Sequence, residues 1–96
     1  MRKAPDGQSI DPAAVEREIA RINAAIDRFA ADMKAAMARK AAEGRTGWDD
    51  PSLRATIVSD LIAHALCADK TPGHEVHAAN FAMMLHYISA ANHSIA

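Results

Sequence analysis

Apolar residues fall at Val15, Ile19, Ile22, Ile26, Phe29 and Met33, in steps of 4-3-4-3-4. That spacing keeps one face of an α-helix apolar for five turns and is the seam of a coiled coil. It constrains the chain more than any other feature, because a helix carrying such a face needs something to cover it. Asp11-Pro12 marks the start: the Asp carboxylate accepts from the first free N–H groups, and Pro suits the first helical position. Lys34, Arg39 and Lys40 suit the dipole at the far end, and Gly44 is a C-terminal stop. A helix over residues 12–43 would be on the order of 48 Å long at ~1.5 Å per residue, longer than the expected diameter of a compact domain of this size. In a parallel pair the flanking positions would bring Glu18 to Asn23, Ala25 to Ala30 and Asp32 to Met37, none an ion pair. An antiparallel dimer or an intramolecular hairpin is therefore preferred over a parallel zipper, with Val15, Ile19, Ile22, Ile26, Phe29 and Met33 as the interface.

Two shorter helices follow. Thr56 reads as the N-cap of a helix over about 57–68, with Ile57, Leu61, Ile62, Ala65 and Leu66 as its apolar stripe. Asp50-Pro51 reads as a cap for a short helical turn before it. Asp69 to Gly73 is a break, and a last helix runs over about 73–91. Its Val76, Phe81, Met83, Met84, Leu85 and Ile88 cover almost the whole circumference, the pattern of a central helix. No strand pattern or repeat appears. The expected fold is all-α, a long N-terminal helix plus two shorter packed helices. It is expected to be one helical domain over 11–96 behind a flexible tail, 1–10. With one Trp, one Tyr and two Phe among 96 residues, such a chain gains from burying more surface in an oligomer.

The net charge of −1 gives no strong nucleic-acid signal. The only basic cluster is Lys34, Arg39, Lys40 and Arg45, which suits a solvated helix end or an anionic partner such as a nucleotide or RNA. A single Cys67, without zinc-type spacing, fits a reducing, cytoplasmic setting and reads as an inert buried thiol. No apolar stretch follows Met1-Arg2-Lys3, so no targeting or membrane segment is expected.

Several residues carry possible chemistry. His74 and His77 share a face at i, i+3. With Asp60 and His64 on the neighbouring helix they could bind Zn²⁺, Ni²⁺ or Mn²⁺, or simply be solvated. Glu75 suits the first turn of a helix, with catalysis as the sharper alternative for it and Asp60. Asn80 sits mid-helix among apolar residues, and a buried amide needs partners. Trp48 reads as an anchor closing the loop, with ligand contact as the alternative. Trp48, Asn80, Lys34 and Arg39 form the ligand-binding set. His77, His86 and His93 could make assembly sensitive to pH between about 5 and 7.

Two segments carry a resemblance. The loop Gly44-Arg45-Thr46-Gly47-Trp48-Asp49-Asp50-Pro51 and the helix Ala79-Asn80-Phe81-Ala82-Met83-Met84-Leu85 resemble segments of small, often phage-encoded proteins similar to the MazG-like nucleotide pyrophosphohydrolases. The similarity covers about Gly44 to Ser89. It implies an all-α, usually oligomeric fold and Mg²⁺-dependent cleavage of nucleoside triphosphates to monophosphate and pyrophosphate. That chemistry needs several carboxylates, because Mg²⁺ takes oxygen ligands. The family supplies Glu-x-x-Glu from one helix and Glu-x-x-Asp from the next. On this chain the second pair falls at His74 and His77, and the first helix offers only Asp60, with His64 one turn on. The expectation is therefore a non-catalytic binding protein with no cofactor. It would be an oligomer, a phage or mobile-element accessory (anti-defence) factor that docks on a host protein complex or sequesters a nucleotide. The alternatives are an active Mg²⁺- or Mn²⁺-dependent pyrophosphohydrolase using Asp60 and Glu75, and a transition-metal protein.

Overall fold

In a computed structural model the described residues are 10–95, with side chains described to residue 90. The expected tail lies almost wholly outside them. The chain is all-α: α1 (Pro12–Ala42), a 3-10 turn (Pro51–Leu53), α2 (Arg54–Cys67) and α3 (His74–Ile95). None of these helices is long and apolar enough to cross a membrane. The chain divides into two compact units, one ending at Ala30 and one beginning at Ala31.

The first unit is the N-terminal part of α1. Asp11 starts the helix as its sequence suggests, accepting from the Ala13 N–H at 3.1 Å through Oδ1. Ile19, Ile22 and Ile26 are 43%, 39% and 57% exposed, and Val15 and Phe29 are half-buried. Glu18 meets Arg21 at 2.6 Å on the surface, which adds a few tenths of a kcal/mol at most. An isolated helical segment of this length is marginal in water, so the heptad face is the part of the chain that most needs covering.

The second unit holds the rest. α1 ends in a Schellman motif: Arg45 N–H bonds the Lys40 carbonyl at 2.9 Å, and Gly44 N–H bonds the Ala41 carbonyl at 3.0 Å. Gly44 takes φ 85° there, a left-handed conformation that glycine adopts without the usual steric cost. Asp50 caps the next turn, accepting from Ser52 N–H at 2.9 Å. These hydrogen bonds to Ser52 hold its carboxyl below the usual carboxylate range. Because the Asp50-Pro51 turn runs straight into α2, that helix starts at Arg54, earlier than the Thr56 cap suggested.

α2 and α3 pack against each other. Ile57, Met84 and Ile88 form the buried cluster, with Met37, Trp48, Phe81, Met83 and Leu85 packed on it. Two readings of helix faces need correcting. On α2 the inward residues are Ile57, Leu61 and His64, while Ile62 (52%) and Leu66 (73%) lie exposed along with Val58 (38%). Cys67 is exposed too, not buried. On α3 only the Asn80–Met84–Ile88 stripe is fully buried; Ala82, His86 and Tyr87 face solvent. Both sequences are apolar around more of the helix than one neighbour can cover, and α3 meets only one side of α2.

Asn80 is 3% exposed. Its Nδ2 donates to the Met33 carbonyl at 3.2 Å. That bond pins α3 to the Ala31–Ala42 part of α1, and it is possible only because the amide can reach a helix carbonyl already used within α1.

Candidate functional site

A cleft of about 200 Å³ opens where the α1 end, the following loop and both short helices meet. Lys40, Arg45, Trp48, Asp60 and Phe81 line it over a floor of Ile57 and Met84. The Schellman turn places Arg45 at the rim and Lys40 one turn back on α1. Trp48 is half-buried, and its ring meets Tyr87 edge-on with centroids 5.3 Å apart. The end of α1 and the loop from Gly44 to Asp50 therefore bring two cations, Lys40 and Arg45, and an aromatic ring to one opening, with Asp60 the single carboxylate lining it.

The sequence-based candidates separate. Trp48 lines the cleft. Asp60, read as a catalytic or metal-binding residue, lines it too. Arg39 lies elsewhere, lining a cavity of about 240 Å³ with Asp32, Val76 and His77. Lys34 is exposed, and Asn80 is committed to Met33. Glu75 accepts from Gly73 N–H at 3.0 Å and so closes the turn into α3. Of the two residues read as catalytic candidates, Asp60 and Glu75, only Asp60 is therefore at the cleft. Sequence reasoning missed Phe81 as a lining residue and read it as core. Its spacing signals burial alike for a core residue and for a cleft wall.

Three histidines gather where α2 ends and α3 begins. His64 and His74 meet through their Nδ1 atoms at 2.9 Å, one donating and the other accepting according to tautomer. Ring centroids are 5.0 Å apart for His64 and His74, 5.3 Å for His64 and His77, and 6.3 Å for His74 and His77. Phe81 also lies against His64, with centroids 5.3 Å apart and the rings tilted by 42°. Yet among the described residues no three or more His, Cys, Asp or Glu side chains are placed to hold a metal ion. Burial pushes the His77 pKa down, and Lys40, His64, His74 and Arg39 push it further. His86 is exposed, and His93 lies outside the described side chains.

The His77 Nδ1 atom is buried without a hydrogen-bond partner. Because its native pKa lies below the ordinary 6.5, the unfolded chain takes up the proton first. Its contribution to stability is complete above about pH 6.5 and is lost as pH falls from there toward the lowered native value. Melting temperatures measured from pH 8 to 5 should fall below pH 6.5 and fall less in His77→Gln. Parallel curves for the two proteins would remove His77 from this account.

No protein-family model, curated protein or solved structure matches the chain.

Proposed function

We propose that this is a small, non-catalytic binding protein that takes an anionic ligand with a planar ring, the chemistry of a nucleotide, in the Trp48 cleft. The observation that supports it is the convergence of Lys40, Arg45, Trp48 and Phe81 on one opening. Aromatic rings offer a face to a flat base, and base–aromatic stacking contributes on the order of 1–3 kcal/mol. Lys40 and Arg45 supply charge-assisted hydrogen bonds to phosphate oxygens. At about 200 Å³ the cleft admits a ring and leaves a phosphate chain at the cationic rim. Hydrolysis of a triphosphate through Mg²⁺ asks for several carboxylates, and Asp60 is the only one here. Binding without turnover would sequester the ligand, which suits an accessory factor working in the cytoplasm. Self-association is part of the same reading, because it would cover the α1 face of Ile19, Ile22 and Ile26.

Trp48 is the only tryptophan in the chain, so its fluorescence reports on the cleft directly. Titration with nucleoside mono- and triphosphates should give a saturating change. Arg45→Ala should weaken binding about tenfold, the equivalent of ~1.4 kcal/mol, with the difference shrinking at high salt. Pyrophosphate should not be released in the presence of Mg²⁺. A flat titration for every nucleotide would overturn the ligand. Release of pyrophosphate that Asp60→Ala abolishes would restore the hydrolase.

A further inference from the structure

We infer that the exposed stripe of α2 is the surface on which the α1 seam of a second copy of this chain docks. This rests on the self-association proposed above and says which faces meet; it does not depend on the cleft. Val58, Ile62 and Leu66 stand on one α2 ridge at i, i+4 and i+8, respectively 38%, 52% and 73% exposed. Ile19, Ile22 and Ile26 on α1 are exposed to a similar degree. At ~1.5 Å per residue the two stripes run for about 12 Å and about 10 Å, so each can cover the other along its length.

Charge selects this pairing over α1 against α1. The positions flanking the α1 seam carry Glu16, Glu18 and Asp32 and no Lys or Arg. An antiparallel α1 pair with Ile22 against Ile26 sets Glu18 against Asp32 of the other copy, which is a like-charge contact, and one with Ile19 against Ile22 sets Glu18 against Ala25 and gains nothing. A parallel pair sets Glu18 against Asn23 and gains nothing. Either one leaves the α2 stripe bare. The α2 stripe instead has Arg54 at one end, its guanidinium donating to Ser89 Oγ at 2.9 Å, and the adjacent pair Asp69 and Lys70 just past the other. The acidic α1 rim is therefore matched in charge at the Arg54 end of α2. The carboxylate within the helix, Asp60, lines the cleft.

Each chain has one stripe of each kind. In a closed pair, therefore, two equivalent contacts form, one in each direction. Two contacts bury twice the area of one, and stable dimers use roughly 800 Å² per partner. One contact repeated head to tail would instead build an open filament, so the inference is of a dimer.

Sedimentation of the full chain tests this, with Ile22→Glu and Leu66→Glu as variants. Both positions are exposed, and unchanged helicity by circular dichroism checks the fold. The wild type should be a dimer and each variant a monomer at the same concentration. Mixing the two variants should restore association, weaker than wild type, because Leu66→Glu keeps its α1 seam and Ile22→Glu keeps its α2 stripe. A wild-type monomer would overturn both self-association and this inference. A dimer that survives Leu66→Glu would overturn the inference alone and point to α1 pairing with α1, and a mixture that stays monomeric would overturn the inference alone. A species larger than two chains would overturn the closed pair.

Discussion

Ile88→Ala should lower the free energy of unfolding by about 3 kcal/mol, the largest loss expected from any single truncation in this chain. Ile88 is 1% exposed and is the most completely buried large side chain. It packs with Ile57 and Met84, and these three are the fully buried large apolar residues among the described positions. Buried Ile→Ala substitutions cost roughly 2–5 kcal/mol, through lost transfer energy and the cavity left behind. A small domain holds only a few kcal/mol of net stability from its core, so the variant should be partly unfolded at room temperature. Urea unfolding followed by circular dichroism measures this. Ile57 at 5% and Met84 at 6% exposure sit at the edges of the same cluster and should cost less. A loss below about 1 kcal/mol at Ile88 would mean that the cluster is not where the stability lies.

Asn80→Asp should cost about 3–4 kcal/mol at pH 7 and much less in acid. In the native protein Nδ2 donates to the Met33 carbonyl, and Oδ1 is buried without a partner. The carboxylate of the variant would set two acceptor atoms against that carbonyl in a site 3% exposed. Desolvation and loss of the donor both favour the protonated acid, which can still donate, so the native pKa rises above the ordinary value near 3.9. The cost at pH 7 is bounded by ~1.4 kcal/mol for each pH unit between those two values. With a raised native pKa, stability is complete below about pH 4 and is lost as pH rises toward the native value. The difference between wild type and variant should therefore widen from pH 4 to pH 7. Asn80→Leu is the contrast: it loses a bond of net ~1 kcal/mol but removes an unpartnered buried oxygen whose burial costs about 1–3 kcal/mol. It should stay within about 1 kcal/mol of wild type. An equal cost for both substitutions would show that a carboxylate at this position carries no penalty beyond the loss of the amide.

The elements were legible where local chemistry governs them. Asp11-Pro12 and Gly44 bound α1 to within a residue because caps and glycine turns are short-range, and the turn at Asp50-Pro51 followed for the same reason. The faces were less legible. Ile57, Ile62 and Leu66 are alike in hydrophobicity, so periodicity alone placed all three inward, yet only Ile57 is buried. Cys67 was misjudged similarly, since apolar neighbours in sequence are not neighbours in space. Of the candidate site, the histidine gathering of His64, His74 and His77 follows from i, i+3 spacing and a short connection between helices. The cleft does not, because Lys40, Arg45, Asp60 and Phe81 are drawn from three helices and a loop.

By itself the sequence determined the helical class, the number of helices, the ends of α1 and the existence of an apolar α1 seam. Each of these depends on backbone hydrogen bonding and side-chain spacing within a few residues. The tertiary structure decided which side of α2 and α3 is core, that Asn80 serves a carbonyl of α1, and that Trp48 shares an opening with Lys40 and Arg45. Those outcomes depend on which faces meet at van der Waals distance, and an apolar stripe records only that it must be covered, not what covers it.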